Sequence, residues 1–339
     1  MAETSPLIPI SASRLKVCKD CSWLYWSKYH LKLPDTTNKG ALSGTCCHTV
    51  FECLLNPRHR EKHAAILTVP ATIKNCPAID RYVRTYCQKY KLDNDSYKLI
   101  DAMIVVGLAY DFYCEKGNAG NLMPERKFDI TNQEPRYRIM GFIDKTAEYQ
   151  QKGLLRIVDY KSSKRQFEGK DLDSNVQAMM YSLAARTFAP DLQPIVEFIF
   201  LQFPASPVQR LKFSEATLTG FEHYLADVSK KLSKFGLKEA MSDYAADKDM
   251  PDEGFSGPLM CGRAKEKGEM KKDGTPKYAC QYKFPFRYFS LCREDGTAIS
   301  SAFSEDDLKP DEAKGEFVVA LNYLGCPRWN KGVTAKLRG

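Results

Sequence analysis

From about residue 122 the chain changes rhythm, and that change does most to limit the fold. MPERKFDI, YRIMGFIDKTAEY and LLRIVDYKSS are short segments of β-branched and apolar residues parted by the turn-like stretches NQEP and QQKG. Such segments read as strands. The second and third read as an antiparallel pair joined across 150–153. A helix over 174–187 (SNVQAMMYSLAART) and a strongly apolar strand over 196–203 follow.

The rest of the chain reads mostly as helix. A stretch beginning at Ser11, with Ser11 or Ser13 as N-cap, carries Leu15, Cys18, Trp23, Tyr25, Trp26 and Tyr29. A second helix is expected over 45–55. One or two more are expected over 80–116, where apolar residues recur at spacings of three and four. Residues 214–247 look helical again, and 251–292 turn glycine- and lysine-rich and irregular. The fold expected is an α/β core with a helical front end. The expected division is a main domain over 1–250 and a basic carboxyl-terminal region over 251–339 that packs on or extends it.

Composition narrows the class further. The chain has 339 residues, 43% of them hydrophobic and 27% charged. That is enough for a real core and too apolar for wholesale disorder. Its longest apolar run, PIVEFIFLQFP over 194–204, is interrupted by Glu197 and Gln202. It falls short of the roughly 20 apolar residues a membrane helix needs. The opening MAETSPLIPISASRLK has no export-signal pattern. A cytoplasmic, reducing location without membrane attachment is therefore expected. The net charge of +8 leans only weakly towards polyanionic partners.

The chemistry concentrates between Gly141 and Tyr181. Asp144 sits in GFID near the end of one strand, and Asp159 and Lys161 sit in VDYK at the end of the next. Alternation puts Asp159 and Lys161 on one face and turns Tyr160 away. Two carboxylates and a lysine at strand ends suit a hard divalent cation. Such a cation activates water and neutralises phosphoryl charge, and the lysine can orient that water or stabilise the transition state.

In order, SASRLKVCKDCSWLYWSKY, GTCCHTVFE, PERKF, GFIDK, VDYKSS and QAMMY resemble the PD-(D/E)XK nuclease superfamily. Within it they resemble the RecB-like exonuclease branch that includes AddB and CRISPR-associated relatives. The resemblance covers roughly residues 11 to 203. It implies a restriction-endonuclease-like fold, a mixed central sheet flanked by helices. It also implies a Mg²⁺- or Mn²⁺-dependent deoxyribonuclease, an exonuclease of DNA replication, recombination or repair. DNA, single-stranded or as duplex ends, is the implied substrate, with a helicase or recombinase as partner. The alternative is a catalytically inactive DNA-binding or scaffold protein on the same fold.

By the same resemblance, His48, Asp144, Asp159 and the Tyr160 carbonyl are metal ligands, and Lys161 is the catalytic lysine. Gln177 and Tyr181, four residues apart on one helix face, contact DNA or support the site. Glu125 is a weaker acidic match, and Glu52 reads as a solvated or salt-bridged neighbour of His48.

Twelve cysteines are many for a chain expected in a reducing compartment. Cys46, Cys47, Cys53, Cys76, Cys87 and Cys114 lie in apolar helical patterns and read as core fillers. Several members of the branch carry a [4Fe–4S] cluster, and Cys21 stands where their first cysteine stands. The later cysteines, Cys261, Cys280, Cys292 and Cys326, include none of the close C-x2-C pairs that the branch uses. Cys18, Cys21, Cys261 and Cys280 form a candidate site for zinc or a cluster. Between Cys261 and Arg293 nine Lys/Arg, Lys271 and Lys272 among them, face three Asp/Glu. Interleaved aromatics there suit phosphates and unpaired bases.

Overall fold

The computed structural model describes residues 7–116, 119–248, 260–330 and 332–333. The first helices are α1 (Ala12–Asp20), α2 (Ser22–Tyr29), α3 (Lys39–Leu55), α4 (Arg60–Ile66), α5 (Pro77–Lys89) and α6 (Asn94–Ala109). Next come β1 (Leu122–Gln133), β2 (Arg136–Tyr149), β3 (Leu154–Lys161), α7 (Lys170–Asp173), α8 (Val176–Phe188), β4 (Gln193–Phe200) and β5 (Val208–Leu211). Helices α9 (Glu215–Leu232), α10 (Leu237–Ala240) and α11 (Ala245–Lys248) precede β6 (Phe286–Cys292), β7 (Ala298–Ala302) and β8 (Phe317–Tyr323).

The chain divides into two compact units: Met1–Ala12 with Thr37–Lys230, and Ser13–Thr36 with Lys231–Gly339. The boundary read from the sequence at 250 falls inside the second unit, which also takes in a segment from the amino-terminal side.

The first unit is built on a five-stranded sheet in the order β1-β2-β3-β4-β5. β3 and β4 run parallel and the other neighbours antiparallel, so the sheet is mixed and flanked by helices. The parallel pair needs a crossover, and α8 supplies it. β3 is buried along almost its whole length, its charged Arg156 and Asp159 included, and Arg156 is paired there with Glu197 at 2.6 Å. β5, four residues long, escaped the sequence reading because so short a strand shows little alternation.

Side-chain caps fix the helix starts. Asn38 accepts from the Ala41 amide at 2.9 Å and begins α3 at Lys39, ahead of the expected residue 45. Asn175 caps α8 in the same way. Helices α3, α5 and α6 pack into one core with Val158, Tyr160, Ile199 and Leu201 of the sheet side. Gly107 lets α6 approach α3, since a Cβ there would lie 2.3 Å from the Phe51 ring.

The second unit has its own core around Trp23, Leu33, Tyr282 and Tyr323. Trp23 Nε1 donates to the Tyr323 hydroxyl at 2.7 Å. The front helix expected from Ser11 breaks at Cys21, whose backbone is extended (φ −159°, ψ 120°). Cys18 and Cys21 therefore do not share a helix face. Residues 260–285 hold only isolated bridges among the described residues, Gly262 with Ala279 and Met270 with Pro276, in keeping with an irregular stretch. Beyond them β7-β6-β8 form an antiparallel sheet. Residues 251–259, the start of the expected carboxyl-terminal region, lie outside the described residues.

Candidate active site

The geometry follows from strand register. The ladder between β2 and β3 ends at Lys145 with Val158. One step on, where the strands part, Asp144 comes opposite Asp159. Asp144 Oδ2 accepts from the Tyr160 amide at 2.7 Å, which pins its carboxylate there.

Asp159 is only 3% exposed. Its Oδ1 accepts from Gln177 Nε2 at 2.8 Å, and the Tyr181 hydroxyl lies 2.7 Å from the same oxygen. Lys161 Nζ reaches Oδ2 at 2.6 Å and donates to Gln177 Oε1 at 2.7 Å. Gln177 Nε2 is also 2.6 Å from the Tyr181 hydroxyl, which lies 3.0 Å from the Phe142 carbonyl. One turn of α8 thus clamps the carboxylate and the lysine of β3 together. Burial pushes the Asp159 carboxyl up; the Lys161 ammonium opposes that shift and the Asp144 carboxylate adds to it. Burial, with Asp159 beside it, holds the Tyr181 phenol well above its ordinary range.

His48 comes from α3, with Nδ1 3.3 Å from Asp144 Oδ2. Burial disfavours a charged ring. The hydrogen bond to Asp144 and the charges of Asp144, Asp159 and Glu125 outweigh it and raise the pKa. Glu125 is skipped in the ladder, where Pro124 pairs with Lys145 and Arg126 with Ile143. Its φ of 44° is the left-handed conformation that a side chain resists, a strain typical of functional sites. Burial first, then the nearby carboxylates of Asp144 and Glu52, raise its pKa. Among the described residues, His48, Glu125 and Asp144 are the three whose ligand atoms all lie within 4.8 Å of one another. Glu52 is exposed.

His48, Asp144, Asp159, Lys161, Gln177 and Tyr181 line a cleft of about 640 Å³. Asn38, Phe142, Ser162, Ser163, Lys164 and Gln202 also line it, and the sequence reading did not single them out. The two serines and Lys164 adjoin VDYK and Phe142 lies within GFID, whereas Asn38 and Gln202 stand outside every motif. Gln202 Nε2 holds the Ser162 carbonyl at 2.6 Å. Tyr160 borders the cleft too, but its ring is buried, with its centroid 4.3 Å from that of Phe51.

Lys271 and Lys272 belong to the second unit, on an exposed turn closed by the Lys271 amide and the Thr275 carbonyl at 2.8 Å. Cys21, Cys261, Cys280 and Cys326 line one cavity of that unit together with Trp23, Tyr244 and Lys283. Cys18, half-buried on α1, is not among them, and Cys326 stands in its place. Burial pushes the Cys280 thiol up to about 11 and the Cys326 thiol up to about 12. Of the six cysteines expected as core fillers, Cys46, Cys47, Cys76, Cys87 and Cys114 are buried. Cys53 is exposed, because its position falls on the outer side of α3.

Two carboxylates, a histidine and a lysine gathered where the strands of a mixed sheet part are the equipment of a metal-assisted phosphodiester hydrolase. The chain belongs to the PD-(D/E)XK nuclease superfamily, whose family model matches residues 9–262. A solved structure described as "Crystal structure of SSO0001" is similar at 15% identity, over 63% of this chain and 85% of that one, with a TM-score of 0.23. No curated protein matches. Among the described residues no helix is long and apolar enough to cross a membrane.

Proposed function

We propose that the chain is a Mg²⁺- or Mn²⁺-dependent deoxyribonuclease. On this reading it is an exonuclease of the RecB-like branch that acts in the cytoplasm on DNA ends or single strands during replication, recombination or repair. A helicase or recombinase would feed it ends. The observation that carries the reading is the convergence of Asp144, Asp159 and Lys161 in one open cleft, with Gln177 and Tyr181 holding them.

His48, Asp144, Asp159 and the Tyr160 carbonyl, with Glu125 beside them, would hold the divalent cation. The donor set fits, being hard oxygen ligands with one imidazole and three ligand atoms already gathered. When bound, the cation supplies water activation and charge neutralisation at a phosphoryl oxygen. Asp159 and Gln177 hold the Lys161 ammonium at the edge of the cleft. From there it orients the attacking water and stabilises the charge that grows on the phosphoryl group. Lys271 and Lys272 would add phosphate contacts from their exposed turn.

The second unit fits a [4Fe–4S] cluster on Cys21, Cys261, Cys280 and Cys326. Its donor set is four thiols in one apolar cavity.

Two measurements test this. End-labelled single- and double-stranded DNA is incubated with the purified protein, with and without Mg²⁺ or Mn²⁺. Metal-dependent cleavage that Asp159→Ala and Lys161→Ala abolish without unfolding is expected; a folded parent inactive on every DNA form sinks the nuclease reading. Anaerobically purified protein should contain iron and a visible absorption band, lost in Cys326→Ser and kept in Cys18→Ser. Stoichiometric zinc in place of iron would overturn the cluster.

A further inference from the structure

The side chains that hold the active cleft do not account for Phe142. It lies on β2 two residues before Asp144, so alternation puts both on one face, and both line the cleft. Phe142 is 53% exposed, whereas the other aromatics of the cleft, Tyr160 and Tyr181, are 2% and 3% exposed. An apolar ring left in water beside a polar site gives up the stabilisation that burial would bring. Nothing in the local pattern requires it. Three observations give the ring a use. Its main chain is fixed, because the Tyr181 hydroxyl that reaches Asp159 also reaches the Phe142 carbonyl at 3.0 Å. Its cross-strand partner on β1 is Lys127, exposed and basic. Lys164 lies on the same cleft. A fixed exposed ring with one lysine across the strand pair and another on the same cleft matches a chain of phosphates that carries unpaired bases: the lysines track the backbone and the ring stacks on a base.

We propose that Phe142 is the stacking platform that makes this cleft prefer unpaired nucleotides, so that the substrate is single-stranded DNA or a frayed end. In a blunt duplex each base is already stacked and paired, and the ring has no free face to meet. The proposal rests on the nuclease reading but is tested by binding, so the two can fail separately. Fluorescence anisotropy of a labelled oligonucleotide in Ca²⁺ is compared for the parent, Phe142→Ala and Phe142→Trp. The parent should bind the single strand more tightly than a blunt duplex. Phe142→Ala should bind it about tenfold more weakly while its duplex affinity is unchanged, and Phe142→Trp should retain parental affinity. An oligonucleotide with abasic sites should bind the parent and Phe142→Ala alike, which a merely structural role would not produce. Parental affinity in Phe142→Ala, or a parent that binds duplex as well as single strand, overturns the proposal. Neither result bears on whether the cleft cuts DNA, which the metal-dependent cleavage assay decides.

Discussion

Gln177 satisfies two opposite charges with one side chain: its carbonyl oxygen accepts from Lys161 and its amide donates to Asp159. Gln177→Leu keeps the shape and removes both bonds, so Lys161 loses its aim. We expect kcat to fall by about 10²-fold with KM little changed, in keeping with an electrostatic role felt mainly in the transition state. Steady-state kinetics would show it, and an effect confined to KM would contradict it. Lys145 presents a different case. It is fully buried, and its Nζ donates only to the Phe112 carbonyl, at 2.9 Å, among the described contacts. Burial lowers its pKa from 10.5 to about 8. Between those values the unfolded chain binds the proton and the folded chain does not, so stability contributed by this residue rises with pH across that window. Below about pH 8 both states are protonated and the burial penalty is fully present. Relative to Lys145→Met, the parent should gain up to about 3 kcal/mol between pH 8 and 10.5. Paired melting curves would check this, and a pH-independent difference would refute it.

At the scale of elements, α3 has to bring His48 to a site that otherwise belongs to strands. Gly44, one turn earlier on α3, permits this, because a Cβ there would meet Ser162 Oγ at 2.5 Å and Ser162 Cβ at 3.2 Å. Gly44→Ala should cut activity at least tenfold with a smaller loss of stability, since the clash pushes on the segment just after Lys161. Adding Ser162→Ala removes the nearer contact and should restore part of the activity. A double variant no better than Gly44→Ala would show that the clash is not the cause. The elements themselves were uneven in legibility. β1, β2 and β3 announce themselves through turn signals and apolar runs, and with them the placement of Asp144, Asp159 and Lys161 at neighbouring strand ends. The break at Cys21 gave no signal, because no glycine or proline marks it and tertiary packing sets the extended backbone. Glu125 was only faintly visible, since what brings it to Asp144 is the β1–β2 register, which sets the two opposite each other at a position the ladder leaves unpaired, together with a positive φ. Phe142 looked like any alternating strand residue, and only its exposure beside the cleft distinguishes it.

On the scale of the whole molecule, the second unit is assembled from segments far apart in sequence. Trp23 bonds Tyr323, Ser22 Oγ donates to the Ala240 carbonyl, and Tyr25 packs on Phe235 with ring centroids 4.8 Å apart. Ending the chain at 230 would leave these aromatic side chains in water. We expect that truncation to bind hydrophobic dye and aggregate where the parent does not, and a monodisperse truncated chain in light scattering would count against it. The partition could not be read from composition, which shifts gradually, because it is a property of long-range contacts. The thiols of the second unit carry one more consequence. Cys21 and Cys326 stand 305 positions apart (326 − 21) yet line the same cavity. At about 5–20 residues per second of synthesis, the first thiol waits tens of seconds for the last. The four thiols therefore come together only after Cys326 has left the ribosome, and a message or a protein cut short before that point lacks the fourth.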